Sequence, residues 1–292
     1  MAYSDSELVL NPDGSIYHLN LLPEHVAPIV FTVGDPSRVG EVSKHFDKIE
    51  VQRQHREFVT HVGTLRGQRV MVISTGIGTD NIDIVMTELD ALVNIDFATR
   101  ENKKELTSLS IIRMGTSGSI QESLDVDSFV VSEMAVGFDN LMHFYDAPQL
   151  AYEYEIADQL SDYLESKSED LVLMPYIFSA DKSLLQLFDN EQFKKGITVT
   201  ASGFFAPQGR ILRGGGAEPK LVKLLNAFKT KKGVLTNLEM ETAGIYGMSR
   251  LLGHKAISVS AIFANRLTGR FCEHPQETVE KMIAQVLDIV IP

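Results

Sequence analysis

The chain has 292 residues, 44% of them hydrophobic, and a formal charge of −12 from 27 Lys and Arg against 39 Asp and Glu. Mean hydropathy is −0.01, and these values exclude a disordered or collagen-like chain. The negative balance would repel DNA, RNA or an anionic membrane surface over most of the protein, so an anionic ligand requires a local cluster of basic groups. One cysteine, Cys272, cannot pair within the chain and stands in no metal-ligand motif, which fits a reducing cytoplasm. The N-terminus MAYSDSELVLNPDGSIYHLN lacks the basic start and apolar run of a secretory signal. No stretch approaches the roughly 18 apolar residues of a membrane span, and the chain is read as soluble and unprocessed. Without repeats or Pro/Ser-rich linkers, one domain is expected over 1–292, with 1–16 a loose N-terminal segment and 100–108 and 229–233 short polar connections.

In chain order, PIVFTV (28–33) reads as a strand, followed by a helix over 36–46 that Asp35 can cap and Pro36 can open. QHREFV around Arg56 is strand-like, RVMVIST (69–75) is a strand, DNIDIVMTELDALVNI (80–95) a helix, and LSIIRMG (109–115) a strand. The second half continues with strands at 128–137, 197–205 and 255–265 and helices at 151–166, 218–228, 239–252 and 275–289. Apolar β-branched runs alternating with helical periods predict an α/β fold, a single domain built on a central mixed, largely parallel sheet flanked by helices. In such sheets ligands gather at the carboxyl ends of the strands.

Several of those ends combine glycine with polar residues: VGDPSR, STGIGTDN and RMGTSGSI. Glycine lets backbone N–H groups approach an anion, and a following helix adds its positive end. Arg38, Arg113 and Thr116 sit at two of these turns, and Arg56 lies on its own strand-like segment. A single arginine of this kind is ordinarily solvated or ion-paired; three of them around glycine turns in an acidic chain form a candidate anion pocket. Neither GxGxxG nor GxxxxGK[ST] occurs, since STGIGTDN has other spacing and RGGGAEPK (213–220) another ending. That disfavours a Rossmann dinucleotide site, a P-loop and an NAD-dependent oxidoreductase. His55, Glu57 and His61 would share one face of a strand and could ligate zinc, but such a face reads equally well as a half-buried polar strand, and no metal is expected.

VGDPSR (33–38), HREF (55–58), STGIG (74–78), RMGTSGSIQ (113–121), FFAPQGR (204–210), NLEMET (237–242) and ANRLTG (264–269) occur in one succession. That order and spacing, from about Tyr17 to about Gly269, resembles the nucleoside phosphorylase family, and within it the uridine phosphorylases. The resemblance implies a pentosyltransferase that reversibly splits uridine with phosphate into uracil and ribose 1-phosphate, in pyrimidine salvage. It also implies the site. Gly34, Arg38, Arg56, Arg113 and Thr116 correspond to the family's phosphate-binding groups, while His18, Glu239, Met240 and Glu241 correspond to or adjoin its ribose contacts. Phe204, Gln208, Arg210 and Arg266 correspond to the base-binding and leaving-group-stabilising groups. A methionine alone is more often core than site, and Glu239 at a helix start could serve only the helix dipole.

Family members take the 5′-OH histidine and one phosphate arginine, here His18 and Arg56, from a neighbouring subunit, so the resemblance implies a homo-oligomer, a dimer rather than a hexamer. No organic cofactor or metal is implied; phosphate is a co-substrate, and some relatives hold a monovalent cation near the position of Glu57. The chain departs from the family pattern at Asn81, where serine is expected, and at Ala206-Pro207, where glycine normally precedes the glutamine. Purine-cleaving members place an Asp after the last long strand to protonate the leaving ring; here that strand ends Ala264-Asn265-Arg266. A nucleosidase would not need the phosphate arginines. The reading from another class is a non-catalytic nucleoside- or phosphate-binding module, kept open by Ala206-Pro207.

Overall fold

Apolar runs bounded by glycine and polar turns become strands in the computed structural model, which describes residues 2–168 and 171–292. The first half contains β1 (Ile29–Val33), α1 (Ser37–Ser43), β2 (Lys48–His55), β3 (Phe58–Leu65), β4 (Gln68–Ser74) and α2 (Thr79–Asn94). Two-residue strands β5 (Ile95–Asp96) and β6 (Glu101–Asn102) pair with each other before β7 (Ser110–Ser119) and β8 (Phe129–Gly137). The second half adds α3 (Ala151–Lys167), β9 (Tyr176–Ser179), α4 (Lys182–Leu187), β10 (Phe193–Thr200), α5 (Leu221–Ala227) and β11 (Lys229–Thr230). It closes with β12 (Gly233–Glu239), α6 (Thr242–Leu252), β13 (Lys255–Asn265) and α7 (Pro275–Val290).

β1 pairs in parallel with β4 on one side and β7 on the other, and β7 pairs in parallel with β13. Strands covered on both faces need continuous apolar sequence, and Val30, Phe31, Val70, Val72, Ile111 and Ile112 are all fully buried. On the far side β8 meets β13 antiparallel, while β8, β10 and β12 run parallel to one another. β12 then returns antiparallel onto the end of β7, with Asn237 opposite Ser119 and Leu238 opposite Gly118. β7, β13, β8, β10 and β12 therefore close into a ring, which removes their free edges and brings the ends of β7 and β12 to one place. A second apolar cluster lies beside the ring, where Ile156, Leu160 and Leu164 of α3 bury a stripe with a spacing of four against Val136, Ile177 and Val199.

The mixed sheet with parallel central strands agrees with the sequence reading; several boundaries do not. The segment 2–16, expected to be loose, is fastened: Leu8 and Ile16 are buried, and the Arg100 guanidinium donates to the carbonyls of Tyr3 (2.8 Å) and Ser4 (2.9 Å) and also to that of Leu8. The strand expected over 197–205 ends at Thr200, because Ala206–Gln208 forms a 3₁₀ turn with Pro207 inside it. The helix expected from 239 begins at Thr242, since Glu239 completes β12. α1 begins at Ser37, and Asp35 serves it as expected, its Oδ1 accepting from the Ser37 N–H at 2.9 Å.

The strand-like segment around Arg56 is in fact a hairpin turn. His55 ends β2 opposite Phe58, which begins β3, so Arg56 and Glu57 form the loop. His55, Glu57 and His61 consequently share no strand face; His61 Nδ1 lies 2.7 Å from Ser43 Oγ and burial pushes its pKa down. Cys272 is buried, and its thiol donates to Asp127 Oδ1 at 2.9 Å.

Candidate active site

Parallel pairing sets the turns after β1 and β4 beside the end of β7. With the end of β12 and the loop around Gln208 they wall a cavity of about 820 Å³. Of the residues singled out in the sequence, Gly34, Arg38, Arg113, Thr116, Phe204, Gln208, Arg210, Glu239, Met240 and Glu241 line it, as does Glu57. His18, Arg56 and Arg266 do not.

Arg113 organises the basic end. It is only 5% exposed, and its Nη2 donates to Glu241 Oε2 at 2.5 Å and lies 3.1 Å from Glu239 Oε2. Burial works against its charge, yet the two carboxylates outweigh that effect and hold its pKa above the ordinary guanidinium value. Gly115 is required by this placement, because a Cβ there would lie 1.9 Å from Arg113 Nη1. Arg38 is less engaged, with one long hydrogen bond to the Met114 carbonyl at 3.5 Å. Burial pushes its pKa down, opposed by Asp35 and reinforced by Arg113. Such a poorly paired, desolvated cation favours an anionic ligand.

The two carboxylates differ. Glu239 accepts from Thr200 Oγ1 (2.5 Å) and from the N–H groups of Glu241 and Thr242 at the start of α6, so both of its oxygens are committed. It anchors a helix N-terminus and Arg113 together. Glu241 accepts from Arg113 through one oxygen and from the Gly78 N–H (2.8 Å) through the other, which leaves lone pairs facing the cavity. Burial raises its pKa, with Arg113 opposing and Glu239 adding to the rise. Gly78 carries φ +97° at the start of α2, a conformation that glycine adopts without strain.

Near Gly118 of β7, Arg210 Nη1 donates to Gln208 Oε1 (2.6 Å) and to the Phe204 carbonyl (2.9 Å), with its guanidinium carbon 3.8 Å from the centre of the Phe204 ring. Burial, assisted by Arg266, pushes the Arg210 pKa down to about 10. Arg266 acts from outside the cavity, donating to the carbonyls of Gln208 (2.9 Å) and Gly209 (3.3 Å) and so fixing the loop. Ala206-Pro207 fits this geometry: Pro207 occupies the 3₁₀ turn, and the Gln208, Gly209 and Arg210 N–H groups close onto Phe205 and Ala206. Phe263, Phe271 and Ile77 also line the cavity; as apolar residues with no polar group to offer they were not singled out in the sequence. Glu57 and Asn81 both pack where a Cβ on Gly76 would lie, and no group of three or more His, Cys, Asp or Glu side chains among the described residues could hold a metal ion.

His18 and Arg56 lie together. The Arg56 guanidinium carbon is 5.8 Å from the Tyr17 ring centre, and His55 Nδ1 donates to the His18 carbonyl at 2.9 Å. Arg56 has φ +54°, where a hairpin ordinarily uses glycine and an L side chain is strained by about 1 kcal/mol. Arg56→Gly is therefore expected to hold or raise the melting temperature, and a clear fall would show that the arginine side chain stabilises the turn.

The family model described as the phosphorylase superfamily matches residues 28–291, so the chain belongs to that family. It is 27% identical to a uridine phosphorylase of Thermococcus kodakarensis, over 95% of this chain and 87% of that protein. It is also 26% identical to a DeoD-type purine nucleoside phosphorylase of Anoxybacillus flavithermus, over 94% and 98% of the two chains. A solved Trypanosoma brucei nucleoside phosphorylase, described as showing uridine phosphorylase activity, superposes with a TM-score of 0.87 at 28% identity, covering 98% of this chain and 99% of the other. The fold is that of the nucleoside phosphorylases.

Proposed function

We propose that the chain is a uridine phosphorylase, a pentosyltransferase in which phosphate attacks C1′ of uridine. The C1′–N1 bond breaks with its electron pair passing to uracil, a phosphate oxygen bonds to C1′, and the uracil anion then takes a proton. Arg38, Arg113, Thr116 and the Gly34 N–H hold the phosphate, Met240 packs on the sugar, and Glu241 accepts from its hydroxyls near the developing positive charge. Glu239 supports Glu241 and Arg113 from behind. Gln208 and Arg210 meet the carbonyl edge of the departing base, where negative charge grows, so they stabilise the transition state more than the ground state.

The observation that carries this reading is the Gln208–Arg210 pair, braced by Arg266, which lines the same cavity as Arg38 and Arg113. The strand-end position that would supply a proton to a purine offers none. Asn265 spends its amide on the carbonyls of Gln121 and Leu124 and its carbonyl on the N–H groups of Leu267 and Thr268. Uridine should accordingly exceed inosine in kcat/KM by about 10²-fold or more, because a site built on specific hydrogen bonds discriminates strongly. Faster cleavage of inosine would make the protein a purine phosphorylase.

His18 and Arg56, absent from their own chain's cavity, complete that of a second copy across a two-fold axis, in a dimer. Net charge does not oppose this arrangement, since interfaces depend on local complementarity.

A further inference from the structure

Glu88 lies on α2, outside every motif, and its side chain is only 12% exposed. Its carboxylate holds His18 and Leu19 by several contacts. The His18 N–H lies 3.1 Å from both oxygens, the Leu19 N–H donates to Oε2 at 2.8 Å, and His18 Nδ1 lies 2.6 Å from Oε1. An ionised carboxylate only accepts hydrogen bonds, so the proton on this side of the ring belongs to Nδ1, and Nε2 is the ring nitrogen left for another partner.

We infer that Glu88 is the positioning residue for His18: its carboxylate fixes the main chain, the ring orientation and the tautomer, and presents Nε2 as an acceptor for the sugar hydroxyl in a neighbouring copy's cavity. This rests on the reading that His18 serves that sugar. Anchoring the segment to the body does not need the ring contact, since Leu19 is itself fully buried and the two backbone N–H groups already engage Glu88. The ring contact adds direction. A histidine 28% exposed at its side chain would otherwise sample several rotamers, and the cost of ordering it would fall on substrate binding or on turnover.

The test compares uridine with 5′-deoxyuridine, which lacks the hydroxyl that Nε2 would accept from. Glu88→Ala should lower the ratio of kcat/KM for uridine over 5′-deoxyuridine by about tenfold, and His18→Ala should lower it to the same level. The double variant should show no further loss, because the two residues act as one unit. Glu88→Gln keeps an oxygen for the backbone donors and serves if the alanine variant does not fold. Its amide N–H₂ turned toward the ring would move the ring proton to Nε2, so its ratio should fall too. Nitrogen-15 NMR of the wild-type protein should find the His18 proton on Nδ1. Equal loss on both substrates would assign Glu88 a purely structural role, and an unchanged ratio or a proton on Nε2 would overturn the inference. Failure of the uridine reading is separate and appears in the wild type as preferred cleavage of inosine, in which case inosine and 5′-deoxyinosine form the comparison.

Discussion

Replacing Arg210 by alanine should lower kcat/KM for uridine by about 10²-fold or more, chiefly through kcat, since one preorganised donor to a developing anion contributes about 3 kcal/mol in a water-poor site. The structure gives the reason for a loss in turnover rather than in folding. Arg210 spends one nitrogen on Gln208 and Phe204, and its charge is desolvated and crowded by Arg266, which lowers its pKa to about 10. At neutral pH it remains protonated, and negative charge growing on the base relieves its desolvation. The loop should survive the change, because Arg266 and the 3₁₀ turn hold Gln208 independently. Steady-state kinetics with a parallel melting curve decide the matter: near-normal turnover would remove Arg210 from the reaction, whereas a collapsed melting curve would make it a structural residue.

Mixing two inactive variants should restore activity if the cavity is shared between copies. Arg113→Ala is unsuitable as one of them. Removing that guanidinium would leave Glu239 and Glu241 buried against each other, and breaking such a buried pair typically costs about 3–5 kcal/mol. Arg38, which makes one long hydrogen bond, is the better choice. Arg38→Ala damages the cavity of its own chain, and Arg56→Ala damages the partner's. A mixed dimer then holds one doubly damaged site and one intact site. Random pairing makes about half the dimers mixed, so activity should recover to about 25% of wild type by symmetry. No recovery, with mixed dimers confirmed by native mass spectrometry, would mean that each chain builds its whole phosphate pocket alone.

The parts of the fold legible in the sequence were those encoded locally. The apolar run of β1, the Asp35-Pro36 start of α1 and the four-residue stripe of α3 each carry their own periodicity or capping chemistry. The ring closure was not legible, because the pairing of Asn237 with Ser119 and Leu238 with Gly118 joins residues more than a hundred positions apart through backbone bonds that leave no side-chain pattern. The Arg56 turn was hidden by the residue itself: Phe58 and Val59 just after it suggest a strand, and nothing in an arginine announces a positive φ. Glycine turns and arginines at the strand ends marked Gly34, Arg38, Arg113 and Thr116, whereas Phe204, Gln208, Arg210, Met240 and Glu241 were reached only through the resemblance to the family. The division of labour between Glu239 and Glu241 was not legible, since it depends on which carboxylate meets the N–H groups at the start of α6. Glu88 offered no signal, being 70 residues from the histidine it holds.

One cavity is lined by Arg38, Arg113, Gln208 and Arg210, which the proposal assigns to phosphate and to the base. The direct measurement is uracil release from uridine in phosphate buffer and in phosphate-free buffer, with the sugar product identified. Uracil and ribose 1-phosphate should form in equal amounts, and only with phosphate present. Uracil and free ribose formed equally fast without phosphate would contradict the proposal and make the protein a nucleosidase.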